Sequence, residues 1–240
     1  MSYASASKWL YGAYVIQRTG GRLDATDIKF LSLQSGYTNL KACASAQTVE
    51  SCLAVEGNGD YSLIADGKFF YNSGHMQKHA SLIGLGAYDN TGLATELRKY
   101  LGEDLPISYS QPQLAGGAFG TAETYARFLQ KILNGQLLIR RMLGDAAVCT
   151  NPATCGISTA IYTPIPNAES WSYSLGHWVE TDPLKGDNAF SSGGGLGFYP
   201  WIDSAVQYYG IVARLAVDGG QPSADCGRLI RKAWLSGVAQ

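Results

Sequence analysis

The sequence predicts an α+β fold, an antiparallel sheet flanked by helices plus a mostly helical region, and three observations lead there. Apolar residues recur at helical spacing through much of the first two-thirds of the chain. From about residue 157 the segments become short, aromatic and broken by Gly, Pro and Asn, as strands joined by turns do. A final stretch, RLIRKAWLSGVA, closes the chain as a helix. Residues 1–240 read as one domain, with 20–155 mostly helical and 1–19 plus 156–240 forming the α/β region with the sheet and the C-terminal helix.

Element by element, SASKWLYGAYVIQRT places Leu10, Ala13, Tyr14 and Ile16 to Gln17 at helical spacing, and Gly20-Gly21 stops the run. Asp24 or Thr26 caps a short second helix. Residues 41–56 are expected to be helical, MQKHASLIGLGA forms another helix, and 92–102 a further one ending at Gly102. TAETYARFLQKILNG is the clearest helix: Tyr125, Phe128, Leu129, Ile132 and Leu133 share a face, Thr121 caps it and Gly135 closes it. WSYSLGHWVET, AFSSGGGLGFYPWID and AVQYYGIVARLAVD read as three strands.

Of the 240 residues 46% are hydrophobic and 15% charged, the net charge is −1, and Lys and Arg are scattered. This argues against a nucleic-acid or anionic-membrane surface. The apolar runs are too short to span a bilayer, and the start lacks a basic segment followed by an apolar core. Cys43 and Cys52 lie close together, as do Cys149 and Cys155, with Cys226 left over. Such short-range pairs favour two disulfides, and hence a periplasmic or secreted protein, over five buried thiols. Neither pair has zinc-knuckle spacing, and no metal or organic cofactor is expected.

Ser5-Ala6-Ser7-Lys8 reads S-x-x-K. On a helix these two side chains are neighbours, so a lysine discharged by burial can accept the serine proton. A helix start also offers unsatisfied amides to a developing oxyanion. Alone the pattern is weak, since about one arises by chance in a chain of this composition. Other schemes fare worse. G-x-S-x-G, GxGxxG and P-loop patterns are absent, and His75 and His79 lack the glutamate of H-E-x-x-H. No role is assigned to His75, His79 or His177.

The company of the motif adds more. SASK, GGRLDATDIKFLSLQSGYT, FFYNSGHMQKHASLIG, LAGGAFGTAETYARFLQKILNG and YSLGHWVE with FSSGGGLGFYPWIDSAVQYYGIVARL occur in an order that resembles the serine β-lactamase-like superfamily, in its class C β-lactamase, esterase and D-aminopeptidase branch. The resemblance implies that Ser5 is the acylated nucleophile, Lys8 its base and Tyr71 the proton shuttle. Backbone amides of Ser5 and Gly195 would form the oxyanion hole, and Ser73, Ser192, Gly193 and Gly194 would contact substrate. Ser73 stands where the family usually has asparagine, and Ser192 where β-lactam-binding members keep a lysine. Both departures favour an ester or simple amide substrate over the runner-up, a β-lactamase or penicillin-binding D,D-peptidase. Family members also carry a helix and two strands ahead of this serine. The resemblance therefore implies a sheet completed by a missing N-terminal segment or by a partner chain, or a fold that manages with a shortened sheet, and a non-catalytic scaffold relative is the reading from another class.

Overall fold

The computed structural model describes residues 1–240. The helices are α1 (Ser7–Arg18), α2 (Ala25–Leu31), α3 (Val49–Leu53), α4 (Gly74–Ala80), α5 (Asn90–Leu101), α6 (Ala122–Leu133), α7 (Pro152–Cys155) and α8 (Gly220–Ser236). The strands are β1 (Phe69–Phe70), β2 (Ser108–Tyr109), β3 (Ala118–Phe119), β4 (Val148–Cys149), β5 (Ala160–Tyr162), β6 (Ser172–Tyr173), β7 (Trp178–Val179), β8 (Phe190–Ser191), β9 (Phe198–Ile202) and β10 (Tyr209–Ala213).

The main sheet has six antiparallel strands in the order β10-β9-β8-β7-β6-β4. β1 and β5 pair in parallel, and β2 and β3 form a small antiparallel ribbon. The α+β architecture expected from the sequence is therefore present. α8 packs on β9 and β10, and α6 on β10.

α1 runs through the interior. All its residues from Ser7 to Ile16 are buried, which explains its near-continuous apolar composition. It packs on α5 and closely approaches the turn between β6 and β7. A Cβ at Gly12 would stand 2.2 Å from the Leu175 carbonyl oxygen, and one at Gly176 2.5 Å from that of Lys8. Two glycines thus let a helix backbone touch a loop backbone. Capping follows the sequence elsewhere: Asp24 forms a capping box with Asp27 on α2, and Thr121 accepts the Thr124 amide on α6.

Three expectations are corrected. Only Val49–Leu53 of the stretch 41–56 is helical. Thr48 caps it, and the Cys43–Cys52 disulfide ties the preceding non-helical chain to it. The three expected strands are five, because turns at Ser174–His177 and around Gly194–Gly197 fold two of the segments into hairpins. The closing helix starts at Gly220 rather than near Arg228. Cys149 and Cys155 form the second disulfide, and Cys226 is unpaired and exposed.

Candidate active site

Ser5 sits in a 3-10 turn, Ala4–Ala6, that leads into α1. The chain just before it is pinned on several sides. Ser2 bridges to Phe119, and the Tyr3 amide donates to the Ala118 carbonyl at 3.0 Å. The Tyr3 ring is fully buried between Tyr125 and Phe198, at centroid distances of 5.0 and 4.9 Å. Its hydroxyl donates to the Thr121 carbonyl at 2.7 Å. Ala4 has a left-handed φ of 45°, a conformation that costs a non-glycine residue on the order of 1 kcal/mol and persists only where its surroundings enforce it.

One α-helical turn on, Lys8 is 2% exposed. Its Nζ donates to Ser5 Oγ at 3.0 Å and to the Ala115 carbonyl at 3.1 Å, and lies 4.7 Å from the centre of the Tyr71 ring. No carboxylate pairs with it. Burial without a counter-charge lowers its pKa from 10.5 to about 7. Such an amine is substantially neutral at physiological pH and able to take a proton.

Tyr71 follows β1, whose pairing with β5 brings it to the cleft. Its ring stacks on Trp178 of β7 at 5.3 Å. Burial pushes its hydroxyl up to about 12, opposed by the polar contact with Ser5. It stays protonated and is suited to donate rather than accept.

A cleft opens over Ser5. Tyr71, Gly193 and Gly195 line it together with Ser5. The amides of Ser5 and Gly195 donate to no backbone acceptor, as an oxyanion site requires. Gly194 turns its α-carbon to the Tyr3 carbonyl, where a Cβ would stand 2.4 Å from the oxygen, and its amide donates to Phe198 O at 2.7 Å. Ser192 is 2% exposed, and its hydroxyl donates to the Ser5 carbonyl at 3.4 Å. Ser73 precedes α4 and does not line this cleft. The neighbouring Asn72 accepts the Gly74 amide at 2.8 Å.

The histidines are held inside the protein. His75 Nδ1 meets Ser35 Oγ at 2.7 Å while its Nε2 faces the Phe70 carbonyl at 3.0 Å, and burial lowers its pKa to about 3. His79 lies between Tyr11 and Asp27. His177 stacks on Trp9 and accepts the Gly144 amide at 3.2 Å.

Sequence reasoning missed the Ala115 carbonyl that holds Lys8, the Trp178 ring under Tyr71, and a wall formed by Pro164, Ile165, Trp171, Tyr199 and Ala224. No motif marks them. The one available signal was the aromatic density of WSYSLGHW.

No protein-family model matches the chain, and no curated protein does. Solved structures do. A protein of Bacteroides dorei, provisionally named a β-lactamase, superposes with a TM-score of 0.69 at 18% identity, over 96% of this chain and 85% of that one. A D-stereospecific amidohydrolase from Streptomyces gives 0.66 at 13% identity, over 100% and 87%. A mutant simvastatin synthase from Aspergillus terreus gives 0.58 at 15% identity, over 99% and 84%. The chain has the serine β-lactamase-like fold over nearly its whole length.

Proposed function

We propose that the chain is a serine hydrolase that cleaves a carboxylic ester or amide through an acyl-enzyme on Ser5. The observation that carries this reading is the 3.0 Å contact between Ser5 Oγ and an uncompensated, buried Lys8 amine. Neutral Lys8 takes the Ser5 proton as Oγ bonds to the substrate carbonyl carbon. The amides of Ser5 and Gly195 hold the oxyanion. As the carbonyl re-forms, the bond to the leaving group breaks. That group takes the Tyr71 hydroxyl proton, and Tyr71 recovers a proton from protonated Lys8. Water then attacks the acyl-enzyme by the reverse transfers. These steps call for no cofactor.

The β-lactam reading is weaker, because a buried serine at position 192 offers no cation to a substrate carboxylate. The two disulfides support a periplasmic or secreted setting, and no helix is long and apolar enough to cross a membrane.

The test is p-nitrophenyl ester hydrolysis by wild type and Ser5→Ala, with intact-mass detection of the acyl adduct. Turnover and an adduct that both vanish in the variant are expected. A folded wild-type chain that never acquires an adduct would sink the enzymatic reading and favour the non-catalytic one.

A further inference from the structure

The cleft beside Ser5 presents no charged side chain. Its wall is built from Ile165, Trp171, Trp178, Tyr199 and Ala224, with Gln221 the polar side chain contributed by α8. The polar edge of Trp171 is turned away from use, since its Nε1 donates to the buried Glu169 carboxylate at 3.0 Å. The cations behind the wall are also engaged. Arg228 lies 5.2 Å from the Trp171 ring centre and pairs with Glu169 at 3.0 Å, while Arg231 pairs with Glu180 at 2.8 Å and Asp187 at 2.7 Å. The two arginines behind the wall are therefore satisfied inside the protein. A charged substrate group held against this wall loses water and finds no counter-charge among the wall side chains, whereas a flat apolar body gains ring contact and buried area.

We propose that this wall selects an uncharged aromatic substrate body, so that the substrate class is a neutral aryl ester or amide and anionic and cationic substrates are both refused. The proposal rests on the serine-hydrolase reading for the bond that is cleaved, and on the wall alone for what is bound.

The probes are three para-substituted benzamides of one shape, 4-methyl, 4-carboxy and 4-aminomethyl, titrated by tryptophan fluorescence against folded Ser5→Ala protein. The carboxamide stands for the scissile carbonyl, and the substituent samples the wall. The neutral probe is expected to bind at least tenfold tighter than either ion. Gln221→Lys alters a half-buried position at the cleft rim and should improve the 4-carboxy probe several-fold while weakening the 4-aminomethyl one. Ile165→Ala should weaken the neutral probe roughly tenfold by removing wall contact. Equal or tighter binding of either ion by the Ser5→Ala protein overturns the proposal, as does a Gln221→Lys variant with unchanged preferences. The two readings separate cleanly: tenfold neutral preference without any acyl adduct on wild type refutes the hydrolase reading alone, and acylation with no charge preference refutes the wall alone.

Discussion

Lys8→Met tests the electrostatic argument directly, because methionine keeps the unbranched apolar stem and removes the charge. The lysine amine titrates at 10.5 when solvated and at about 7 in the fold. At about 1.4 kcal/mol per pH unit, that depression destabilises the native state by about 5 kcal/mol once pH lies well below 7. The sign follows from proton counts. Between pH 7 and 10.5 the unfolded chain holds this proton and the folded chain does not, so native stability rises with pH across that window. At pH 7 about 4 kcal/mol of the penalty is present, and at pH 9.5 a little over 1 kcal/mol remains. Against this, Lys8→Met loses the hydrogen bonds to Ser5 Oγ and the Ala115 carbonyl, worth about 1 kcal/mol each. The variant should therefore be about 2 kcal/mol more stable than wild type at pH 7 and about 1 kcal/mol less stable at pH 9.5. Urea unfolding of both proteins at the two pH values, followed by tryptophan fluorescence, measures the crossover. A stability difference that does not change with pH would refute the discharged-lysine argument, whatever its size. Ester hydrolysis in the same variant should fall by at least about a hundredfold.

Other outcomes follow from the same geometry. The kcat/KM for a neutral ester should rise with pH through a midpoint near 7, as Lys8 loses its proton; a pH–rate profile with its acidic limb near 4 would assign the base elsewhere. Gly194→Ala forces a Cβ to within 2.4 Å of the Tyr3 carbonyl, so it should lower stability by about 1–3 kcal/mol and displace the turn that carries Ser5. Gly193→Ala, whose nearest neighbour would be 3.8 Å away, should melt with wild type, and equal melting of all three proteins would contradict the close approach. Glu180→Gln removes the buried carboxylate shared by Arg231, Arg228 and the Tyr199 hydroxyl. Thermal denaturation should show a loss of about 3–5 kcal/mol, and a loss below about 1 kcal/mol would mean that the network is dispensable.

Helices that carry their own punctuation were legible in the chain. Thr121 and Gly135 bracket α6, Asp24 starts α2, and Gly20-Gly21 follows α1, and each operates locally as its residue type dictates. The strands were less legible because most are two residues long, too short for alternation to register. Val148–Cys149 lies in a polar stretch and belongs to the sheet only through its partner Ser172–Tyr173. Gly176 and Gly197 have φ values of 89° and 97°, and such turns look like internal glycines of one long strand until the pairing is seen. At the site, the contact between Ser5 and Lys8 follows from helical spacing. Tyr71 and the glycines at 193–195 come from distant segments, and family resemblance rather than local pattern singles them out. The Ala115 carbonyl and the Ile165 loop are tertiary accidents of sequence, with no spacing to announce them.

α8 carries two duties at different heights along one rod. Gly220, Gln221 and Ala224 face the cleft, while Arg228 and Arg231, one and two turns further on, anchor the rod to the sheet. The two heights are joined: Gln221 Nε2 donates to Asp225 at 3.0 Å, and Asp225 in turn pairs with Arg228 at 3.3 Å. A change at position 221 therefore reaches the anchor through Asp225, so a library that reshapes the mouth of the cleft has to vary 221 and 225 together.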